Sequence, residues 1–566
     1  MKLRSLKLSF DRIVLIITVC FSANTLSLSL DSDLLIFNAD IYTANNKNPK
    51  ADSLVVSDGY ILFVGNYSDA QHYAGKNTKL IDLDGKTVLP GFIDSHTHLS
   101  MGARLVKGID LYNMNSISDW QNTILENIPK FKDSQWLFGA RWDHTLTSNG
   151  ELPTVSDLDE LKINKPIALR DIDGHSMWIN TKAYKRLVNE YPVEKLQSEG
   201  VIYNEDGTFS GILKERAMEL VDELDDYQNS LAVSNKDIQR TLSFTNSLGI
   251  TGMHDMPDEH TLRDLKQLAK ENKLYSRILF GSIIDCRESD CIEEHLRRGS
   301  LYKHSNRNEF LLSPYFIKLF IDGVLSTHTA AMQEEYSDKD NHFGELLYLP
   351  LEIGEIVKKS NDAGIPVAVH AIGDAAVKVT LDVFEKYGSR EITNRIEHAE
   401  IIDERDLVRF KKLNVALSMH PNHGTGVIGK YISERIGAKR EKNAYVWNSA
   451  IKEDAQLMLG SDWPTAPLSP MIQIADAIFR VGPFETNDRP WYPNQKLSFY
   501  DALVAYTLTP AKVSGVDKYI GSLEKGKYAD FVILNKKLNT FDRKEFLATN
   551  VMSTFFFGKE IYSANN

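Results

Sequence analysis

The chain has 566 residues, 42% of them hydrophobic and 25% charged, with a formal net charge of −12 at neutral pH. That length exceeds what one simple core accommodates and calls for more than one structural unit. The composition excludes a disordered chain and a multi-span membrane protein, and the acidic balance argues against a nucleic-acid-binding surface, which needs clustered Lys and Arg facing phosphate.

The first 30 residues differ from the rest. Lys2, Arg4, Lys7 and Arg12 precede an apolar run at 13–21, followed by Ser22-Ala23-Asn24-Thr25. This order is that of a secretory leader, and the run is shorter than the ~20 residues that span a bilayer. A cleaved leader is expected. An uncleaved membrane anchor requires the weaker stretch through Leu30 to join the run. The implied compartment is periplasmic, secreted or the endoplasmic reticulum. Loss of Cys20 with the leader leaves Cys286 and Cys291, enough for one disulfide but not for a disulfide framework. Asn66-Tyr67-Ser68 is the single N-glycosylation sequon.

After the leader come short β-like runs at 33–42, 53–64 and 79–88, separated by turn-rich pieces such as 44–47 and 57–59. The C-terminus has the same texture at 529–534 and 552–562, around Gly526 and Gly558. Between the ends, strand-like runs alternate with helix-like segments: 365–370, then 375–387, then 395–399, then 404–413. A parallel βα barrel requires that alternation. The expected architecture is therefore α/β, a (β/α)8 TIM barrel over 91–512 with a small β-sandwich built from both chain ends, 31–90 and 513–566. Candidate strands between Ser134 and Ile284 outnumber those a barrel needs, so part of that region is an insertion.

The residues that carry chemistry sit on or at the ends of these runs. Residues 92–98 follow Pro90-Gly91 as a buried strand, and side chains two apart share a face, so His96 and His98 can bind one metal ion together. Packed or exposed histidines are the plain alternative. Lys318 lies in the middle of the apolar run 315–323, where an unpartnered ammonium is costly. Two readings stay open: an ion pair with Asp322 on the same face, or reaction of the amine with carbon dioxide. The second gives a carbamate, an oxygen ligand able to bridge two cations. His370 and His398 each end an apolar run, the face at which parallel barrels build active sites. Asp462 ends the run 457–462, either as a cap for the next segment or as a ligand and proton acceptor for an attacking water.

In this order the segments LPGFIDSHTHL (89–99), DGHSMWIN (173–180), IKLFIDGVLSTHTA (317–330), HAIGD (370–374), RIEHAE (395–400) and GSDWPTAPLSP (460–470) resemble the amidohydrolase superfamily. The likeness is to its YtcJ-like branch (amidohydrolase family 3), which includes proteins similar to N-substituted formamide deformylases. It extends from the end of the leader to TPAKVSGVD and GSLEKGKYADFVIL near the C-terminus. The resemblance implies one or two divalent metal ions, zinc by preference, held by His96, His98, a Lys318 carboxylated on Nζ, His370, His398 and Asp462. Asp462 would also be the catalytic base, and Trp142, Asp143, His175, Asp322 and His423 would lie near substrate. The implied activity is hydrolysis of a carbon–nitrogen bond, amide or formamide-like and not peptide, in a small molecule. His420 departs from the pattern, because the branch commonly shows glutamine there, and no role is carried over to it.

The same resemblance leaves two alternatives. A one-metal deaminase of the superfamily usually places a glutamate three residues after the strand-five histidine, where this chain has Gly373, and would leave Lys318 unexplained. A non-catalytic scaffold should have lost ligands, whereas all six positions are filled. Homo-oligomerisation is compatible with such a barrel, although nothing in the sequence sets a symmetry.

Overall fold

The computed structural model describes residues 32–144, 147, 152–172, 176–214, 216–284, 292–297, 311–313, 316–426, 429, 431–481 and 489–564. The expected leader, Cys286, Cys291 and His175 lie outside the described residues. Among the described residues, no helix is long and apolar enough to cross a membrane.

Eight strands form one sheet: β1 (Phe92–Thr97), β2 (Ile250–Asp255), β3 (Arg277–Ile283), β4 (Phe316–Phe320), β5 (Val367–Ala371), β6 (Asn394–His398), β7 (Val415–Met419) and β8 (Gln456–Leu459). Each pairs in parallel with the next in chain order. The barrel closes just beyond β8, where the Asp462 N–H donates to the His96 carbonyl and the His98 N–H to the Trp463 carbonyl, both at 2.9 Å. Strands such as β5 and β7 are buried along their whole length, because one face meets helices and the other the barrel interior. The alternating runs of the sequence become β5, the helix Asp374–Tyr387, β6 and the helix Glu404–Leu413. The architecture is the expected TIM barrel with an added β-domain.

The surplus strands fall between β1 and β2. Ile109–Asp110, Leu137–Trp142 and Ile167–Asp171 run parallel, and Ser176–Ile179, Phe209–Lys214 and Val201–Tyr203 continue the same six-stranded sheet antiparallel. This insertion has its own apolar core, with Trp120, Trp136, Trp142 and Trp178 fully buried in it. It reaches the barrel mouth through Arg141, whose guanidinium holds Asp110 and donates to the Pro464 carbonyl at 3.2 Å.

The chain ends build a second sandwich. A four-stranded sheet (Tyr60–Gly65, Ser53–Ser57, Leu34–Phe37, Lys79–Asp82) faces a six-stranded one that carries Phe531–Leu534, Val551–Phe556 and Lys559–Ser563 from the C-terminus. Leu34, Ile36, Leu54, Val88, Phe531 and Phe555 pack between them. Two of the expected N-terminal strands are each broken in two. The run 33–42 breaks at Asn38 and 79–88 at Asp84-Gly85, all at positive φ, so their halves pair in different sheets. Asp58 and Gly59, at φ 52° and 81°, make a tight hairpin of the run 53–64.

A buried ion pair joins sandwich to barrel. Arg277 at the start of β3 donates to both Asp530 oxygens, at 2.8 and 2.9 Å, and its guanidinium stacks 4.3 Å from the centre of the Phe556 ring. Both charged side chains are about 95% buried, so breaking the pair strands a charge, at about 3–5 kcal/mol. Asp530→Ala should therefore lower stability by about that amount, and Arg277→Met with Asp530→Leu should recover much of it. Denaturant unfolding of the three chains checks this; equal loss in the single and double variants would contradict it.

Candidate metal centre

Seven side chains converge at the C-terminal mouth of the barrel. His96 and His98 come from the end of β1, His370 from β5, His398 from β6, and Asp462 follows β8. His420 and His423 follow β7, on and just inside the short helix Pro421–Thr425. His398 and Asp462 sit at φ 69° and 56°, a backbone region that non-glycine residues occupy sparingly and that concentrates at functional sites.

Asp462 is the hub. One carboxylate oxygen lies 3.4 Å from His96 Nε2 and 3.3 Å from His98 Nε2, and the other lies 3.6 Å from His423 Nε2. The imidazole rings close around it, with centroids 5.2 Å apart for His96 and His398, 4.4 Å for His370 and His398, and 5.3 Å for His96 and His98. Three overlapping donor sets have one atom of each member within 4.8 Å of the others: His96–His98–Asp462, His398–His423–Asp462 and His96–His398–His420.

The protonation states suit cation binding. Burial, reinforced by the Lys318 charge, holds His96 well below its usual range and His370 down at about 3. His398 is likewise low, through burial and the neighbouring imidazoles. Such rings are neutral and offer a lone pair. Burial opposes ionisation of Asp462, but the surrounding histidines outweigh it and its carboxyl stays well below the usual carboxylate range. Among the described residues, His96 Nε2, His370 Nδ1, His398 Nδ1 and His423 Nε2 are all buried without a hydrogen-bond partner. Buried polar nitrogens are rarely left so, and a divalent ion among them satisfies several at once. The residues present therefore fit a His/Asp metal site. His370 shows the supporting arrangement that ligand histidines use: its Nε2 is 3.1 Å from the Gly323 carbonyl, which leaves Nδ1 free.

Lys318 is fully buried on β4, and its Nζ makes no hydrogen bond among the described residues. It is not paired with Asp322. That carboxylate instead accepts the backbone N–H groups of Ala331, Ile372 and Gly373 at 2.9–3.0 Å, tying the loop after β4 to the end of β5. Burial brings the lysine down to about 8, against the opposing charges of Glu397 and Asp462. A sizeable neutral-amine fraction, the form that reacts with carbon dioxide, is thus present near neutral pH.

The other substrate candidates divide. His423 joins the cluster, its Nδ1 3.4 Å from Glu400. Trp142 is buried among Trp120 and Trp178 and donates to the Leu169 carbonyl at 2.8 Å. Asp143 is buried at the end of the insertion strand that leans on the barrel mouth. Trp463 packs where only glycine fits opposite it, since a methyl group on Gly102 would lie 1.7 Å from its ring.

Three residues were not anticipated. Glu397 Oε2 lies 2.7 Å from His96 Nδ1, and its other oxygen lies 2.6 Å from Arg395 Nε. Arg395 contacts His254 Nδ1 at 2.6 Å, and His254 Nε2 meets Ser514 Oγ at 3.0 Å. A buried chain of polar contacts thus runs up the barrel interior to the metal-facing imidazole. The signal was available: Arg395 and Glu397 stand two apart on a strand buried throughout, so both point to one face.

The profile described as "Amidohydrolase family" matches residues 79–562. Protein LONG AFTER FAR-RED 3 of Arabidopsis thaliana is 30% identical over 551 residues, covering 94% of this chain and 92% of that protein. The N-substituted formamide deformylase of Arthrobacter pascens is 26% identical over 532 residues, covering 89% and 93%. Among solved structures, an uncharacterized metal-dependent hydrolase from Pyrococcus horikoshii OT3 superposes with TM-score 0.70 at 29% identity, covering 90% of this chain and 99% of that one.

Glu397 fixes which nitrogen of His96 is free, so Glu397→Ala should weaken divalent-metal affinity about 10–100-fold. Competition with a chromophoric chelator measures this, and unchanged affinity would refute the orienting role.

Proposed function

This chain belongs to the amidohydrolase family, and we propose that within it the enzyme uses zinc to hydrolyse the carbon–nitrogen bond of a small N-acyl or N-formyl compound. It is a metal-dependent hydrolase acting on non-peptide carbon–nitrogen bonds. The observation that carries the finer reading is the ring of buried, unpartnered imidazole nitrogens around an ionised Asp462. Imidazole with carboxylate is a donor set that suits zinc.

His96, His98 and Asp462 would hold one cation, and His370, His398 and a Lys318 carbamate a second. Bound there, zinc supplies Lewis acidity and an acidified water at neutral pH. Asp462 accepts the proton of the attacking water as its oxygen adds to the acyl carbon. When the carbon–nitrogen bond breaks, the protonated Asp462 gives that proton to the departing amine, so an amine and a carboxylic acid leave, the acid then losing its proton to the amine or to solvent. The charge and hydrogen bonding of the histidines around Asp462 hold its carboxyl below the usual carboxylate range, so it meets the water as an ionised base. The formamide-like substrate class is supported by the Arthrobacter relative's name. Against a deaminase, a side chain at Gly373 would begin 2.0 Å from the Ala331 carbonyl, so a glutamate there has no room. The basic-then-apolar N-terminus supports export.

Incubating the zinc- and bicarbonate-loaded chain with a panel of N-acyl and N-formyl amines should release amine from at least one compound. Asp462→Asn should cut that turnover by about 10²–10⁴. Turnover confined to an aminated heterocycle, with ammonia as product, would overturn the reading. Supplying ¹³C-bicarbonate should give a carbamate NMR signal that Lys318→Met abolishes; the same signal in both chains would contradict carboxylation of Lys318.

A further inference from the structure

The family resemblance carries no role over to His420, but its surroundings give it a use. It leaves β7 at the barrel mouth and is 1% exposed. Its ring centroid lies 4.9 Å from His96, 4.7 Å from His398 and 5.1 Å from His423. Both of its ring nitrogens are buried and, among the described residues, neither meets a partner in good hydrogen-bond geometry, although the Gly460 backbone lies close enough to interact with one of them. A histidine kept only for packing normally finds a partner for at least one nitrogen.

We propose that His420 is a metal ligand that forms, with His96 and His398, an all-imidazole cation position that is an alternative to the His96–His98–Asp462 position. The three side chains offer one nitrogen each within 4.8 Å of the others. His96 Nε2 and His398 Nδ1 are likewise buried without partners. Zinc–nitrogen bonds of about 2.0–2.1 Å require the three nitrogens to draw closer together than the 4.8 Å within which they lie. The Gly460 carbonyl stands beside the His420 ring. It is the kind of acceptor that takes one N–H of a metal-bound imidazole and leaves the other nitrogen for the ion.

Such a position has two consequences. Three neutral imidazoles favour zinc and neighbouring transition metals over the hard cations that oxygen ligands select. The new position draws His96 from the first and His398 from the second, each nitrogen serving one ion at a time, and it needs no oxygen from Lys318, so a cation can sit there without lysine carboxylation. The inference rests on the metal-centre reading above and extends it to a residue outside the expected six.

The test compares the full-length chain with His420→Gln, which keeps a buried polar side chain of similar size and removes the imidazole donor. Each is stripped, checked by circular dichroism, and titrated with zinc against a competing chelator. X-ray absorption at the zinc edge counts the imidazoles. The expected result is at least a tenfold loss of affinity for one zinc and a lower imidazole count. Equal affinity and equal count would overturn the proposal. If the variant does not fold, ¹⁵N-histidine NMR of the unaltered chain decides. A His420 ring nitrogen that moves to a metal-bound shift on zinc addition supports the proposal, and one that stays put overturns it. An unaltered chain that takes up no zinc would overturn the metal-centre reading as well, whereas zinc bound equally by both chains overturns this inference alone.

Discussion

Desolvation of imidazoles around one carboxylate is the constraint on which the site depends. In water these rings would be partly protonated near neutral pH and would repel a cation. At the dry mouth of the barrel the charged form is penalised, so His96, His370 and His398 remain neutral. The donor atoms of His96, His98, His398, His420, His423 and Asp462 converge because β1, β6, the segment after β8 and the turn after β7 deliver them to the same few ångströms, and the His370 ring from β5 lies against His398. Asp462 stays ionised among them. The result is a concentrated set of lone pairs with one negative charge, which protein groups alone leave unsatisfied.

The scaffold explains why this arrangement holds. Asp462 and His98 close the barrel through their backbone N–H groups, so the contacts that seal the sheet also set the spacing of metal-facing side chains. Beneath them, Glu397 and Arg395 fill an interior that most barrels of this kind fill with branched apolar side chains. The Arg395–Glu397 contact keeps Glu397 ionised despite its burial. Glu397 in turn points one nitrogen of His96 away from the mouth and the other toward it. The insertion leans over the same mouth through Arg141, while the sandwich is held at the opposite side by Arg277 and Asp530.

The barrel was legible because its strands are buried on both faces and read as continuous apolar runs bounded by turns. The two chain-end strands that turned out to be broken were not, since a single residue at positive φ, such as Asn38, reverses which sheet the following residues join without disturbing the apolar pattern. The insertion was detectable only as an excess of strands. Its parallel half has the same local texture as the barrel, and only pairing distinguishes them. The six motif residues were legible from spacing and resemblance, but the geometry that connects them was not. A buried Lys318 four residues before Asp322 invited an ion pair, but Asp322 instead accepts backbone N–H groups from the loop after β4 and from the end of β5. Glu397 went unread and His420 was given no role for one reason: each meets His96, hundreds of positions away in the chain.

If a metal held by these side chains is required for carbon–nitrogen bond hydrolysis, stripping it must abolish the reaction. The decisive experiment follows one confirmed substrate in water enriched in ¹⁸O, with the chain first stripped by chelator and then reloaded with zinc. A metal-dependent site gives no turnover in the stripped chain and full recovery on reloading, with one solvent oxygen in the acid product. Sustained turnover by a chain shown to contain no metal would contradict it.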